Sequence, residues 1–109
     1  MLNNVWVKKP GAAERITVDG NGFPWAINSN HNIFKWNPNK NDWDQYNGLG
    51  SDIGINNNGS VWLIGTDQIG NDGYGIYYMR AGEWVKTQGA AVRIAVGPHN
   101  HPWVINQGN

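Results

Sequence analysis

Three pairs of tryptophans keep one spacing along the chain: Trp6 and Trp25, Trp43 and Trp62, and Trp84 and Trp103 each stand 19 residues apart. Aligning the three segments on their first tryptophans brings further positions into line. Gly11, Gly48 and Gly89 coincide, as do Ile16, Ile53 and Ile94, then Val18, Ile55 and Val96, and Ile27, Ile64 and Ile105. Such a register marks an internal repeat, and a repeat decides the architecture before any single motif is considered.

The repeat is 37 residues from Trp6 to Trp43 and 41 from Trp43 to Trp84, close to the roughly 40–45 of a four-stranded propeller blade. Composition agrees. The 15 Gly, 7 Trp and 4 Tyr stand among many Asn, and helix-forming runs are nearly absent, so short strands joined by tight turns are expected. The fold class is therefore all-β. Eleven strands are expected, at Val5–Lys8, Arg15–Val18, Trp25–Asn28, Ile33–Trp36, Trp43–Tyr46, Ile53–Ile55, Val61–Gly65, Gly75–Met79, Trp84–Lys86, Val92–Val96 and Trp103–Asn106. Asp19-Gly20-Asn21-Gly22 and Asn56-Asn57-Asn58-Gly59 occupy the same place in successive repeats, and their glycines supply the positive φ of hairpin turns. Thr17, Gly54 and Ala95 suit the crowded inner end of a blade. The longest irregular piece expected is Gly65 to Gly75, six residues longer than the matching Asn28–Asn32 connection; insertions within repeats map to surface loops.

At 109 residues, with repeats starting near Trp6, Trp43 and Trp84 and the third partial, residues 1–109 read as a single propeller segment. Two and a half blades do not close a ring, so the chain is expected to be incomplete alone and closed by oligomerisation. Charge is balanced, 8 Lys plus Arg against 8 Asp plus Glu, which gives no electrostatic footprint for nucleic acid or an anionic membrane. The absence of Cys excludes disulfides and thiolate chemistry. Met1 to Lys9 lacks the continuous apolar stretch of a signal peptide, and no segment approaches the ~20 apolar residues of a membrane span. A soluble protein is expected, its compartment open.

Gly89-Ala-Ala-Val-Arg-Ile-Ala-Val-Gly97 followed by Pro102-Trp-Val-Ile-Asn106, and Val61-Trp-Leu-Ile-Gly65 followed by Gly75-Ile-Tyr-Tyr78, resemble the tectonin repeat, in three copies spanning nearly the whole chain. The resemblance implies a six-bladed propeller, and with it a dimer is favoured, since two copies supply 22 strands against the 24 of six blades. It also implies a lectin that recognises bacterial or fungal surface sugars, or an interaction module as in other members. Phe23-Pro24 and His101-Pro102 depart from the pattern seen at Ser60-Val61, which is tolerable at a strand start, where proline removes no ladder bond.

Several residues could carry chemistry. Pyranose faces stack on aromatic rings, yet six tryptophans hold repeat positions and are expected to pack between blades. Trp36 breaks the pattern, since its counterpart is Met79, and with Tyr46, Tyr74, Tyr77 and Tyr78 it is a candidate ligand-facing ring. Asp67, Asn71 and Asp72 in the long connection, and Asn28, Asn30 and His31 in the short one, offer hydrogen bonds to sugar hydroxyls. Arg15, Asp52 and Arg93 share one repeat position, and their alternating charge suggests an inter-blade ion-pair network. Glu14 and Asp52 are weak evidence for a glycosidase pair. His99 and His101 read as turn residues rather than metal ligands, and Asn58-Gly-Ser60 as a hairpin turn that also matches a glycosylation acceptor. No cofactor, metal or catalytic residue is expected. The function expected is a non-enzymatic, lectin-like module with glycans as partners and sites between blades; the alternative is a protein-interaction scaffold or self-assembling fragment.

Overall fold

The computed structural model describes residues 8–56, 58–97 and 101–106, and throughout them the protein is all-β. Ten strands run in chain order: β1 (Arg15–Val18), β2 (Pro24–Ile27), β3 (Asn32–Asn37), β4 (Asp42–Leu49), β5 (Asp52–Ile55), β6 (Val61–Ile69), β7 (Gly73–Arg80), β8 (Glu83–Ala91), β9 (Arg93–Gly97) and β10 (His101–Ile105). They form two four-stranded antiparallel sheets, β1-β2-β3-β4 and β5-β6-β7-β8, and a two-stranded sheet, β9-β10. The expected strand at Val5–Lys8 lies outside the described residues except for Lys8, which is not in a strand.

Local chemistry explains the turns. Asp19 Oδ1 accepts from the N–H groups of Asn21 and Phe23, Asn28 Oδ1 from Asn30 and Asn32, and Asn56 Oδ1 from Asn58 and Ser60. Each is a side-chain-anchored turn in which the residue three places on adopts positive φ. That residue is Gly22 (φ 84) in the first, His31 (φ 69) in the second and Gly59 (φ 86) in the third. The repeat is equally visible in the backbone. Glu14 N–H donates to Ile27 O at 2.7 Å, Ser51 N–H to Ile64 O at 2.7 Å and Val92 N–H to Ile105 O at 2.8 Å, one bond in three copies.

Side chains alternate across each strand, so each sheet has two apolar faces. One face of the first sheet (Trp25, Ile27, Ile33) packs on Ile53, Val61 and Leu63 of the second. The opposite face of the second sheet, Ile64 and Ile76, packs with Ala91 on Ile94 of the β9-β10 hairpin. The first strands lie side by side, β5 between β1 and β9. Gly54 permits the approach: a Cβ there would stand 3.1 Å from Val96 Cγ2 and 3.3 Å from Ala95 Cα.

Two features depart from expectation. The Gly65–Gly75 stretch is not irregular, because β6 runs on to Ile69 and β7 starts at Gly73, leaving Gly70, Asn71 and Asp72 as the hairpin tip. The ladder absorbs the insertion as a bulge in which Ile64 pairs with Ile76 and Gln68 with Tyr74. The stretches after Gly48 and Gly89 are likewise strand, reached through bulges in β4 and β8. The ion-pair network is half present. Arg15 Nε lies 3.7 Å from Asp52 Oδ1, but the second oxygen of Asp52 accepts the Ile94 N–H at 2.8 Å, and Arg93 turns back onto Val92 O.

Candidate functional site

The bulge glycines have a purpose that links one sheet to the next. Gly48 stands at φ 92, and a Cβ there would meet Trp84 Cδ1 at 3.2 Å. The adjacent carbonyl of Asn47 accepts the Trp84 indole N–H at 2.9 Å. One repeat earlier, Gly11 (φ 100) faces Trp43 and Pro10 O accepts its indole N–H at 2.8 Å. Trp43 and Trp84, which open the second and third repeats, are thus each clamped edge-on to the glycine bend one repeat earlier, and a groove is left beside each clamp.

The two grooves are repeat equivalents. The first, about 390 Å³, is lined by Gly11, Ala12, Ala26, Asn28, Phe34 and Trp43, with Lys9, Pro10, Ala13, Ile16 and Asp42 at its borders. The second, about 280 Å³, is lined by Gly48, Leu49, Leu63, Gly65, Tyr77 and Trp84, to which Thr66 and Asp67 are added. Position for position, Leu63 replaces Ala26, Gly65 replaces Asn28, Tyr77 replaces Phe34 and Trp84 replaces Trp43. Asp67 has no counterpart, since it comes with the inserted residues.

Asp67 organises the second groove. The Tyr77 hydroxyl donates to Asp67 Oδ2 at 2.7 Å and Lys86 Nζ donates to the same oxygen at 2.9 Å. The carboxylate sits over two glycines: a Cβ on Gly75 would come within 2.5 Å of Oδ2 and one on Gly65 within 2.6 Å of Oδ1. Partial burial opposes charge on Asp67, but the hydrogen bonds from Lys86 and Tyr77 outweigh it and hold its pKa below the ordinary 3.8. Burial and the bond to Asp67 push the Tyr77 hydroxyl up, and Lys86 is raised by its bond to Asp67. The result is an ionised acceptor whose charge is balanced by an exposed ammonium, beside an indole wall and a leucine floor. Such a surface can exchange hydrogen bonds with a neutral polyhydroxylated ligand and cover its apolar face.

The other candidates are dispersed. Asn28 and His31 hold their own loop: Asn28 anchors the turn, His31 N–H donates to Asn28 O, and the His31 ring Nδ1 lies 3.1 Å from Gly50 O while Gly50 N–H donates to His31 O. Asn28 also borders the first groove. Asn30 is exposed, and Asn71 and Asp72 are exposed at the β6-β7 tip. Tyr74 packs on the other face of the second sheet, with Ile64, Ile76, Ala91 and Ile94, so the sheet itself separates it from Asp67 and Tyr77. Trp36 is only 6% exposed and meets Trp43 edge-on at 5.2 Å with Lys9 Nζ 5.1 Å from its ring; its ring packs and presents little face to a ligand. Lys86 was not anticipated, although it stands directly across from Tyr77 in the β7-β8 ladder.

Among the described residues, no three His, Cys, Asp or Glu side chains gather as a metal site, and no helix is long and apolar enough to cross a membrane. His101 is exposed, and His99 lies outside the described residues. No protein-family model matches the chain, and no curated protein matches it.

Proposed function

We propose that the chain is a non-catalytic carbohydrate-binding module whose sheets are blades of a tectonin-like propeller, and that glycans of the bacterial or fungal surface type bind in the groove between the first two sheets. The Asp67–Tyr77–Lys86 cluster carries this reading. It places an ionised acceptor, a hydroxyl and an ammonium beside the Trp84 indole, with no net charge to favour an anionic partner. The blade reading is supported by the threefold backbone bond from Glu14, Ser51 and Val92 and by the adjacent first strands. Asp52 is an unsuitable glycosidase carboxylate because both its oxygens are engaged, by Arg15 and by the Ile94 N–H.

The site is shallow, so single-site affinity is weak and several sites presented together raise avidity by roughly 10²–10⁴. The test is retention on immobilised bacterial and fungal polysaccharides, compared with competition by free monosaccharides. The wild-type chain is retained, Asp67→Ala and Tyr77→Phe lose about tenfold or more of the binding, and Tyr74→Ala leaves it unchanged. If no polysaccharide retains a folded preparation, the protein-interaction scaffold becomes the better reading.

A further inference from the structure

Each joint between sheets is made of the same two faces. The face bearing Trp25 and Ile27 meets the face bearing Ile53 and Leu63 at the first joint, and that bearing Trp62 and Ile64 meets Ile94 at the second. The series leaves one face of each kind uncovered. On the β9-β10 hairpin, Trp103 is 75% and Ile105 57% exposed; on the first sheet, Ile16 is 64% and Val18 53% exposed. Trp103 and Ile105 are the repeat counterparts of Trp25 and Ile27, and Ile16 and Val18 those of Ile53 and Ile55. The two open faces are therefore the two halves of a joint already built twice in this molecule.

We propose that these faces join head to tail between two copies of the chain, the Trp103–Ile105 face of one seated on the Ile16–Val18 face of the other, and the reverse at the second contact. Two copies bring six sheets, and a head-to-tail contact made twice closes without leaving either face open. Exposed apolar surface of this kind drives association. The polar line at the joint is less well matched than the apolar one. Asp52 faces Arg15 of the preceding sheet and accepts the Ile94 N–H of the next; at the open joint the corresponding residue is Arg93, which would meet Ile16 N–H and Arg15 of the second copy.

Sedimentation equilibrium from micromolar to tens of micromolar tests the proposal independently of any glycan. The wild type has the mass of two chains. Ile16→Glu and Trp103→Glu, both at exposed positions and each checked to melt as the wild type does when dilute, dissociate with a constant raised at least tenfold. An equimolar mixture of the two variants recovers a two-chain species, because one copy retains an intact tail and the other an intact head. A monomeric wild type, any mass other than two chains, or a mixture that stays monomeric would each overturn the proposal.

Discussion

The two grooves are built on one plan and differ by one insertion. In the first sheet the connection after Asn28 is a tight turn, tied to Gly50 by His31, and the groove it borders is walled by alanines, Phe34 and Trp43. In the second sheet the same connection is lengthened into the ends of β6 and β7. The bulge delivers Asp67 over Gly65 and Gly75, where Tyr77 and Lys86 bind it. The scaffold supplies a place with a clamped indole, and the insertion decides whether that place also carries a carboxylate seated over two glycines. A groove with that carboxylate and one without it thus share their strands, their clamp and their glycine bend.

The largest test of that shared scaffold compares Trp25 with Trp103, the same repeat position at opposite extremes of burial, 4% and 75% exposed. Trp25→Ala removes a ring held between two sheets against Tyr46 at 4.7 Å and is expected to cost about 3–5 kcal/mol. Trp103→Ala should change the stability of the dilute chain by less than about 0.5 kcal/mol. Urea unfolding at low protein concentration measures both. Equal losses would mean that repeat position, not the covering sheet, sets the energetics.

The clamp comes next. Gly22 and Gly48 both have positive φ, 84 and 92, but a Cβ on Gly22 meets nothing within 4 Å while one on Gly48 meets the Trp84 ring at 3.2 Å. Gly22→Ala is expected to cost about 1 kcal/mol, the backbone penalty alone, and Gly48→Ala about 2 kcal/mol or more, because the indole must also move. Thermal melts of the two variants give the difference directly. If Gly22→Ala is the worse of the pair, the tryptophan clamp does not define the grooves.

A smaller effect separates the grooves electrostatically. Asp67 has a folded pKa lowered below 3.8, so its contribution to stability is fully present above that unfolded value and is lost as pH falls through the folded one. Because its side chain is 37% exposed, salt screens much of this, and the titration itself is the better readout. Carboxyl NMR should place the Asp67 midpoint below 3.8, and Tyr77→Phe or Lys86→Met should each move it upward. An unchanged midpoint in both would show that the cluster is a packing accident.

How much of this was legible in the sequence can be argued from a few residues. The tryptophan register and the paired isoleucines located every strand from Arg15 to Ile105 to within a few residues, because period-two alternation and turn-forming Asp, Asn and Gly acted together. The resemblance to the tectonin repeat is an expectation that remains a proposal. The hairpin extension was misread because Gly65, Gly70, Gly73 and Gly75 are ordinary loop signals, whereas here Gly65 and Gly75 clear space for a carboxylate and Gly73 packs on the Ala91 backbone. Tyr74 and Tyr77 stand together as candidate rings on proximity in sequence, but strand parity sends them to opposite faces. Lys86 is reachable by counting back from the β7-β8 turn, because the ladder from Arg80 and Glu83 to Tyr77 and Lys86 has no bulge. Trp36 stood out as an irregularity of the repeat, and its burial against Trp43 gives that irregularity a packing reason.

The smallest expected effect is also the one that isolates the insertion. Phe34 occupies the place of Tyr77 in the first groove, so Phe34→Tyr gives that groove the hydroxyl of the second without its carboxylate. No acid on the adjoining connection corresponds to Asp67, since Asn28–Asn32 lacks the six inserted residues. The new hydroxyl would border a groove open to water, and stability should stay within about 0.5 kcal/mol of wild type. Polysaccharide retention should not rise in the Phe34→Tyr chain, nor should it appear in Phe34→Tyr combined with Asp67→Ala. Recovery of binding in that double variant would place recognition in the tyrosine and the indole alone, and the carboxylate cluster that distinguishes the two grooves would have to be read as structural.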